Sequence, residues 1–512
     1  MVSKKICFYS GLFCVLLAFV SCSGLIGKLE NATNFSSYTV KHFQQNLDDD
    51  DYTEVSEDAQ ILKGKNGSLT NATPNEYKGF TPKEITQKKI IADGSTVIEV
   101  YYDRNIITYS FYSGEEGTFS DGETIKVVNG RYGATVDTDI PIANHQMYLF
   151  DNWDDSSYSC FEDTNKSFYA KYKYNFYEEP VKLPEGTDGK SGVDWTYVYF
   201  GVWPQTIKAE SVEVDEYQQI TIGANTYYLG SDKNYYVKCV ENGRMIGANY
   251  KYSDGTRVSP RSQNSIKYFK VEPLKWRVVT TNYNDTNKTL LLAESVLTSN
   301  IPYYGSLGDR RLNNKTIFPN NYKYSNIRAY LNGIENQFVT DGGTRNEYTN
   351  DWTGKGFLQT AFTLSAQEKI VDTLVDNSQD SVTSYLSEPT NNRYICENTL
   401  DKIFCLSVYE VTAPDCGFYE NSPTNSSKMR QRYPTDYAKA NFANYDAYPD
   451  DSTVVNKQES PWFLRSPRPD GYEYAFMVHM MGQAYYFPNG EQYYVNISSR
   501  GVVPALVVSL LE

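Results

Sequence analysis

Five cysteines stand outside the first 24 residues: Cys160, Cys239, Cys396, Cys405 and Cys416. The whole chain has three histidines, His42, His145 and His479. A zinc site needs thiolates and imidazoles at short, fixed spacings, and the sequence holds neither a Cys-x-x-Cys pair nor a histidine near another ligand. An odd number of cysteines is a poor disulfide framework. For Cys396 and Cys405 two readings stand: a disulfide in an oxidising compartment, or burial as small apolar side chains. The run Asp48–Asp51 offers four carboxylates, but an EF-hand loop needs its ligands spaced, with a glycine and a distal glutamate, so the run reads as a solvated turn. Neither a phosphate-binding glycine loop nor a nucleophile elbow with a histidine partner occurs. Acid–base carboxylate pairs stay possible, because 63 acidic residues make chance pairs common. Arg465, in "WFLRSP", follows three bulky apolar residues and precedes Pro467. That context predicts a half-buried guanidinium tying down loop carbonyls with its five donors rather than a catalytic group. No catalytic residue, metal or cofactor is assigned.

Binding chemistry is better represented. The chain holds 46 Tyr beside 24 Phe and 6 Trp, and tyrosine joins a stiff apolar ring to a polar tip, which suits strands and recognition surfaces alike. Near the end, Tyr mixes with Asn and Gly. Tyr472, Tyr474, Tyr485, Tyr486 and Tyr493 are the candidate ligand contacts, with plain sheet packing as the alternative for each. Net charge is −15 and no basic stripe appears, which disfavours a nucleic-acid partner.

Residues 1–24, MVSKKICFYSGLFCVLLAFVSCSG, join Lys4 and Lys5 to an apolar segment, Ile6 to Val20. That segment is shorter than the ~20 residues a membrane-spanning helix needs. Small residues then surround Cys22. The stretch resembles a bacterial lipoprotein signal, with Phe19 where leucine is usual. The resemblance implies that residues 1–21 are removed and that the sulfur of Cys22 is lipidated; the alternative is a secretory signal cleaved near Ser23. Each buried CH₂ of an acyl chain contributes ~0.8 kcal/mol, so two or more chains hold a water-soluble body at a membrane.

Behind this anchor the elements fall into blocks. Residues 22–37 are a polar tether. Residues 38–103 read as a β-rich module: "SYTVKHFQQN" alternates, and "KKIIADGSTVIEVYYDR" predicts a hairpin at Asp93-Gly94 with Ile98, Val100 and Tyr102 on one face. With "YTVKHFQQN", "YKGFT" and "VIEVYYDR" in order, this block resembles the mucin-binding-protein-like repeats of bacterial surface proteins. Residues 104–175 carry Gly133, Pro141, Phe150, Trp153, Phe168, Ala170 and Lys171. On those positions the block resembles the internalin-type B repeat (the Listeria–Bacteroides repeat), which implies a compact β-grasp-like spacer or adhesive unit with Trp153 as core anchor. Residues 176–192 read as a linker.

Residues 193–512 are the large domain. "WTYVYFGVWPQT" predicts a strand stopped by Pro204; "VEPLKWRVV" and "KTLLLAESVL" predict buried strands. Helices are expected over 324–333, stopped by Gly333, over 363–375, capped by Ser365 and Glu368, and from 433–440. Residues 401–411 read as a strand turning into a helix, with Ser407 three residues before Glu410. "GVVPALVV" reads as a strand covered on both faces, with Pro504 marking an edge or bulge. The ordered set from "VYFGVWPQT" to "SRGVVPALVV" resembles a domain of unknown function found in surface lipoproteins and cell-wall proteins of spirochaetes and Gram-positive bacteria. Val503 stands where that domain's usual ending has Arg. The closing pattern also resembles the C-type-lectin-like fold of the formylglycine-generating (sulfatase-modifying) superfamily, which implies pairing of Tyr197–Val202 with Val502–Val508. The active-site cysteine pair of those enzymes is not matched by the spacing of Cys396, Cys405 and Cys416. "EPTNN", 388–392, only faintly echoes a calcium-lectin motif.

The expected fold is multidomain: two small β-rich modules, then a large α+β domain of possible C-type-lectin-like form. The expected function is a non-enzymatic, lipid-anchored surface protein whose C-terminal domain binds a host or neighbouring-cell glycan or protein. The alternatives are an enzyme of the formylglycine-generating type and a purely structural envelope protein.

Overall fold

The structure, a computed structural model, describes residues 34–187, 194–222, 225–243, 250–259, 263–335, 351–384, 391–418, 425–443, 459–484 and 494–509. Cys22 with its leader, and Tyr485, Tyr486 and Tyr493, lie outside the described residues, as do the first three residues of "EPTNN". The protein is β-rich with several sheets, and it divides into two compact units: 34–144 with 150–172, and 145–149 with 173 onward. Among the described residues no helix is long and apolar enough to cross a membrane.

The first unit holds two larger sheets, each with its own core, and one two-stranded sheet. In β1 (Phe35–Gln45) the alternation of the sequence puts Tyr38, Val40 and His42 inward. The exposed Asp48–Asp51 turn leads into β2 (Tyr52–Glu54); β2 and then β3 (Gln60–Lys65) run antiparallel to β1. After β4 (Phe80–Pro82), β5 (Val97–Arg104) lies between β1, to which it is parallel, and β4. Ile98, Val100 and Tyr102 share its buried face. Asp93-Gly94 makes the expected turn but not the expected hairpin. Ile90, ahead of the turn, bonds to Gly67 and Ser68, because both edges of β5 are already taken.

One residue, Asn105, separates β5 from β6 (Ile106–Tyr112). There follow β7 (Gly117–Thr118), β8 (Ile125–Arg131), β9 (Ile142–Ala143), β10 (Tyr148–Trp153) and β11 (Lys166–Tyr174). The sheet order is β10-β11-β6-β8, with β6 and β11 parallel. Trp153 is 5 % exposed and its ring centroid lies 4.9 Å from that of Phe111, so it anchors this core.

His42 makes the first sheet sensitive to acid. It is fully buried, its Nδ1 is 2.8 Å from the Tyr102 hydroxyl, and Nε2 has no partner among the described residues. Burial lowers its pKa, against the attraction of Asp58, whose carboxylate binds the Tyr77 hydroxyl. The unfolded chain therefore takes up a proton near pH 6.5 that the folded sheet refuses until lower pH. Stability contributed by neutral His42 is present above that pH and is lost as pH falls below it. Amide exchange in β1 and β5, corrected for intrinsic rates, should quicken between pH 7.5 and 5.5, and a His42→Phe chain should lack the change. Equal protection in the parent chain at both pH values contradicts this.

In the second unit, residues expected as linker join the sheet. β12 (Val181–Lys182) pairs with β15 (Tyr197–Ile207), and β13 (Gly186–Thr187) with β14 (Asp194–Trp195). Pro204 does not stop β15: the strand continues past it through a register shift between Pro204 and Thr206, where the missing N–H is tolerated. Next come β16 (Val214–Ile222), β17 (Asn225–Gly230), β18 (Tyr235–Val240), β19 (Ile266–Thr280) and β20 (Thr289–Ala293). The long β19 carries β15 on one side, and β18 and β20 on the other.

Beyond the β21 (Arg310–Leu312) and β22 (Lys315–Ile317) hairpin, α1 (Asn326–Asn332) begins at Ser325, whose Oγ accepts from the Arg328 N–H, and ends at left-handed Gly333. α2 (Phe357–Ala361) and α3 (Leu364–Lys369) follow. Thr363, not Ser365, caps α3, and the expected helix over 363–375 stops at Lys369. The β-branched Ile370, Val371, Thr373 and Val375 prefer extended backbone: Val371 N bonds Val507 O at 2.8 Å, and β23 (Thr373–Val375) pairs with β24 (Thr399–Asp401). After β25 (Ile403–Phe404) the chain turns over 405–411 without forming the expected helix. α4 (Asp436–Ala440) starts at Thr435, and β26 (Trp462–Pro467), β27 (Ala475–Val478) and β28 (Ala505–Val508) complete the order.

The helices have five to seven residues, so this unit is a β-rich body with short helices and falls short of the expected α+β balance. β28 is inserted between β20 and β25 and buried on both faces, as its apolar run requires, with Pro504 just ahead of it. The expected pairing of the domain's first strand with its last is not found: β19 and β20 stand between β15 and β28. β19 pairs along both edges, and it takes the place adjacent to β15.

Candidate functional site

All six residues of β26 are buried, so Arg465 must satisfy its charge and five N–H groups inside the protein. Nε and Nη2 donate to the Asp376 carbonyl at 3.1 and 3.0 Å, and Nη1 to the Cys405 carbonyl at 3.0 Å. Nη1 and Nη2 also donate to Glu410 Oε2 and Oε1, at 2.5 and 3.1 Å. Glu410 accepts two further bonds, from the Tyr283 hydroxyl at 2.5 Å and the Ser407 N–H at 2.7 Å, while its own N–H donates to Ser407 Oγ. Burial opposes both charges, but the partners outweigh it: the Glu410 pKa is lowered and that of Arg465 raised. Burial, and then Glu410, push Tyr283 well above the usual phenol range. The carbonyl-tying role expected of Arg465 is present; its full burial and its carboxylate partner, 55 residues away in sequence, are not visible in "WFLRSP". The Ser407–Glu410 capping pair was legible, although it closes a turn and not a helix.

These groups floor a cleft of ≈ 470 Å³. Its walls include the exposed Asp285, Asp380 and Asp415, the half-buried Tyr409 and the thiol of Cys416. One rim is a loop in which Asn284, Asp285 and Asn287 have φ of 52°, 56° and 53°, left-handed values that Asn and Asp tolerate best. Among the described residues Arg465 is the sole basic one lining the cleft, and every one of its donors is occupied. Glu410, saturated by four donors, has no capacity left to take a proton from a substrate.

The five described cysteines are free of disulfides, Cys396 and Cys405 included. Burial pushes the Cys239 and Cys405 thiols up to about 12, and burial beside Glu410 also raises Cys416. All three are protonated at neutral pH, the unreactive form. Among the described residues no group of three or more His, Cys, Asp or Glu is placed to hold a metal ion.

Two of the five candidate tyrosines are described, and they differ. Both lie in the segment between β26 and β27. Tyr474 packs: its carbonyl accepts from Asn320 Nδ2 and the Arg468 N–H, and its ring tilts against Tyr494 at 5.0 Å. The hydrogen bond with Tyr494 pushes its pKa up to about 12. Tyr472 is 40 % exposed and stacks near-parallel on Phe318, at 5.9 Å and 28°. Phe318 in turn meets the buried Tyr394 edge-on at 5.0 Å, and Arg393 lies over the Tyr394 ring. The result is a ring platform supported from beneath. Phe318 and Tyr394 come from segments far from Tyr472 in sequence, and no local pattern announces them.

Residues 286–510 match the family model described as Domain of unknown function (DUF6273). The DUF6273 span includes Glu410, Arg465 and the Tyr472 platform but begins after Tyr283. The matched segment is therefore smaller than the physical unit, since β19 lies ahead of it and pairs with β20 inside it. No curated protein matches the chain.

Proposed function

We propose that this is a lipid-anchored bacterial surface protein whose C-terminal unit, carried on the two β modules, binds a glycan or protein of a host or neighbouring cell. The observation that carries the binding role is the Tyr472–Phe318 platform: an exposed ring held in place by a second ring. Such a surface binds sugar faces and protein side chains with little entropy left to lose. The occupied donors and acceptors at the cleft floor, together with the protonated thiols, favour binding over catalysis. Anchoring at Cys22, the β-grasp-like reading of the modules and the C-type-lectin-like reading of the large unit rest on the sequence resemblances.

The test is the full chain on an array of glycans and host proteins, followed by Tyr472→Ala. The exposed ring contributes little to folding, so the variant should melt like the parent. It should lose about 2 kcal/mol of binding, roughly thirtyfold in affinity. An array with no ligand, or a Tyr472→Ala chain that binds as tightly as the parent, refutes the reading.

A further inference from the structure

In both larger sheets of the first unit the first and last strands are parallel neighbours. β1 and β5 are in register from Thr39 opposite Val97 to Gln44 opposite Tyr102. β6 and β11 are in register from Tyr109 opposite Lys166 to Tyr112 opposite Tyr169. A pull on the two ends of either sheet enters at the start of one strand and leaves at the end of its parallel neighbour. The strands must then slide along each other, and every hydrogen bond of the ladder is loaded at once. Were the load applied to the same end of both strands, the bonds would open one after another.

Side chains reinforce the same pairs. Phe43 stacks on Tyr101 at 5.1 Å, Phe111 on Phe168 at 4.9 Å and Tyr112 on Tyr169 at 4.9 Å, each a register pair across the loaded ladder. Sliding by one residue separates all three stacks and turns inward side chains outward.

The junction passes load directly from one sheet to the next, because only Asn105 lies between β5 and β6. It is also pinned. Arg104 Nε donates to the Gln45 carbonyl at 2.7 Å and Nη1 to the Tyr132 carbonyl at 3.1 Å. The Asn105 N–H donates to Gly79 O, and the Tyr132 N–H to Asn105 O, both at 2.9 Å. Gly79 is left-handed and lies against the Tyr132 ring, where a side chain would collide.

We propose that the first unit is a force-bearing tether, two shear clamps in series that hold against tension along the chain. The strand directions carry this inference by themselves, whatever the second unit binds and however the N-terminus is anchored. Resistance to force is set by the unfolding barrier and not by equilibrium stability.

The experiment is optical tweezers on the full chain with handles at exposed positions. Handles at Asn34 and Lys173 load both clamps in shear. Handles at Asn34 and Ala92 peel β1 from β5, since Ser36 Oγ bonds the Ala92 carbonyl and so places both handles at the same end of the pair. In shear, two abrupt steps are expected. Each should release about 70 residues, roughly 230–250 Å of chain at full extension. The first sheet should yield in shear at a force several-fold above its yield when peeled. Equal forces in the two geometries, or gradual lengthening without steps in shear, overturns the proposal.

Discussion

Replacing Arg465 with Ala should destabilise the second unit by about 3–5 kcal/mol, the usual penalty for leaving a buried charge without its partner. Glu410 would keep only the Tyr283 hydroxyl and the Ser407 N–H, inside a region where neither residue of the ion pair is more than 8 % exposed at its side chain. The Asp376 and Cys405 carbonyls would lose their donors as well. Glu410→Leu should be similarly harmful, whereas Arg465→Met with Glu410→Leu should be less harmful than either change alone, because no charge is then left unpaired. Urea unfolding of the three chains decides the matter. A single-variant loss below about 1 kcal/mol would show the pair to be dispensable. The pH dependence has a definite sign. The pKa of Glu410 is lower folded than unfolded, so its contribution is present above about pH 4.5 and is lost as pH falls through the folded value.

Deleting Val502–Glu512 should unfold the second unit outright. The deletion removes β28 from between β20 and β25, the Val502 bridge to Thr298 and the Val508 bridge to Ile370. Val502, Val503, Leu506, Val507 and Val508 are all at most 2 % exposed. At ~1.5–3 kcal/mol per buried side chain they contribute roughly 10 kcal/mol, comparable with the entire stability of an ordinary domain. Amide exchange should become fast across the described part of 194–501 and stay slow in β1, β5, β6 and β11, whose cores are separate. Slow exchange in β19 and β20 after the deletion would mean that the sheet does not depend on its inserted strand.

Much of the fold was legible because the relevant physics is local. A strand buried on both faces has to be apolar at every position, and "LLLA" and "ALVV" say so; a strand with one wet face alternates, as "YTVKH" does. Gly333 ends α1 as cap chemistry requires. The misreadings concern partners. Asp93-Gly94 specifies a turn but cannot specify that Ile90 will bond elsewhere. Residues 363–375 carry a helix start; the β-branched run from Ile370, together with its pairing to Val507 and β24, ends it early. The site was less visible still. Arg465 was legible as a buried donor, but its carboxylate, and the Phe318 beneath Tyr472, are brought by the fold from distant segments. Exposure of a tyrosine cannot be told from its spacing, as the contrast between Tyr472 and Tyr474 shows.

The central place of β28 also sets a timetable. Every strand that it touches is made before it, and about 210 residues separate β20 from β28. At ~5–20 residues per second, a ribosome takes roughly 10–45 s to cover that distance. Throughout that interval one edge of β20, whose five residues are all buried in the folded unit, waits unpaired, so the second unit cannot mature while it is being synthesised. That delay gives nascent-chain chaperones a defined window in which to hold the open chain.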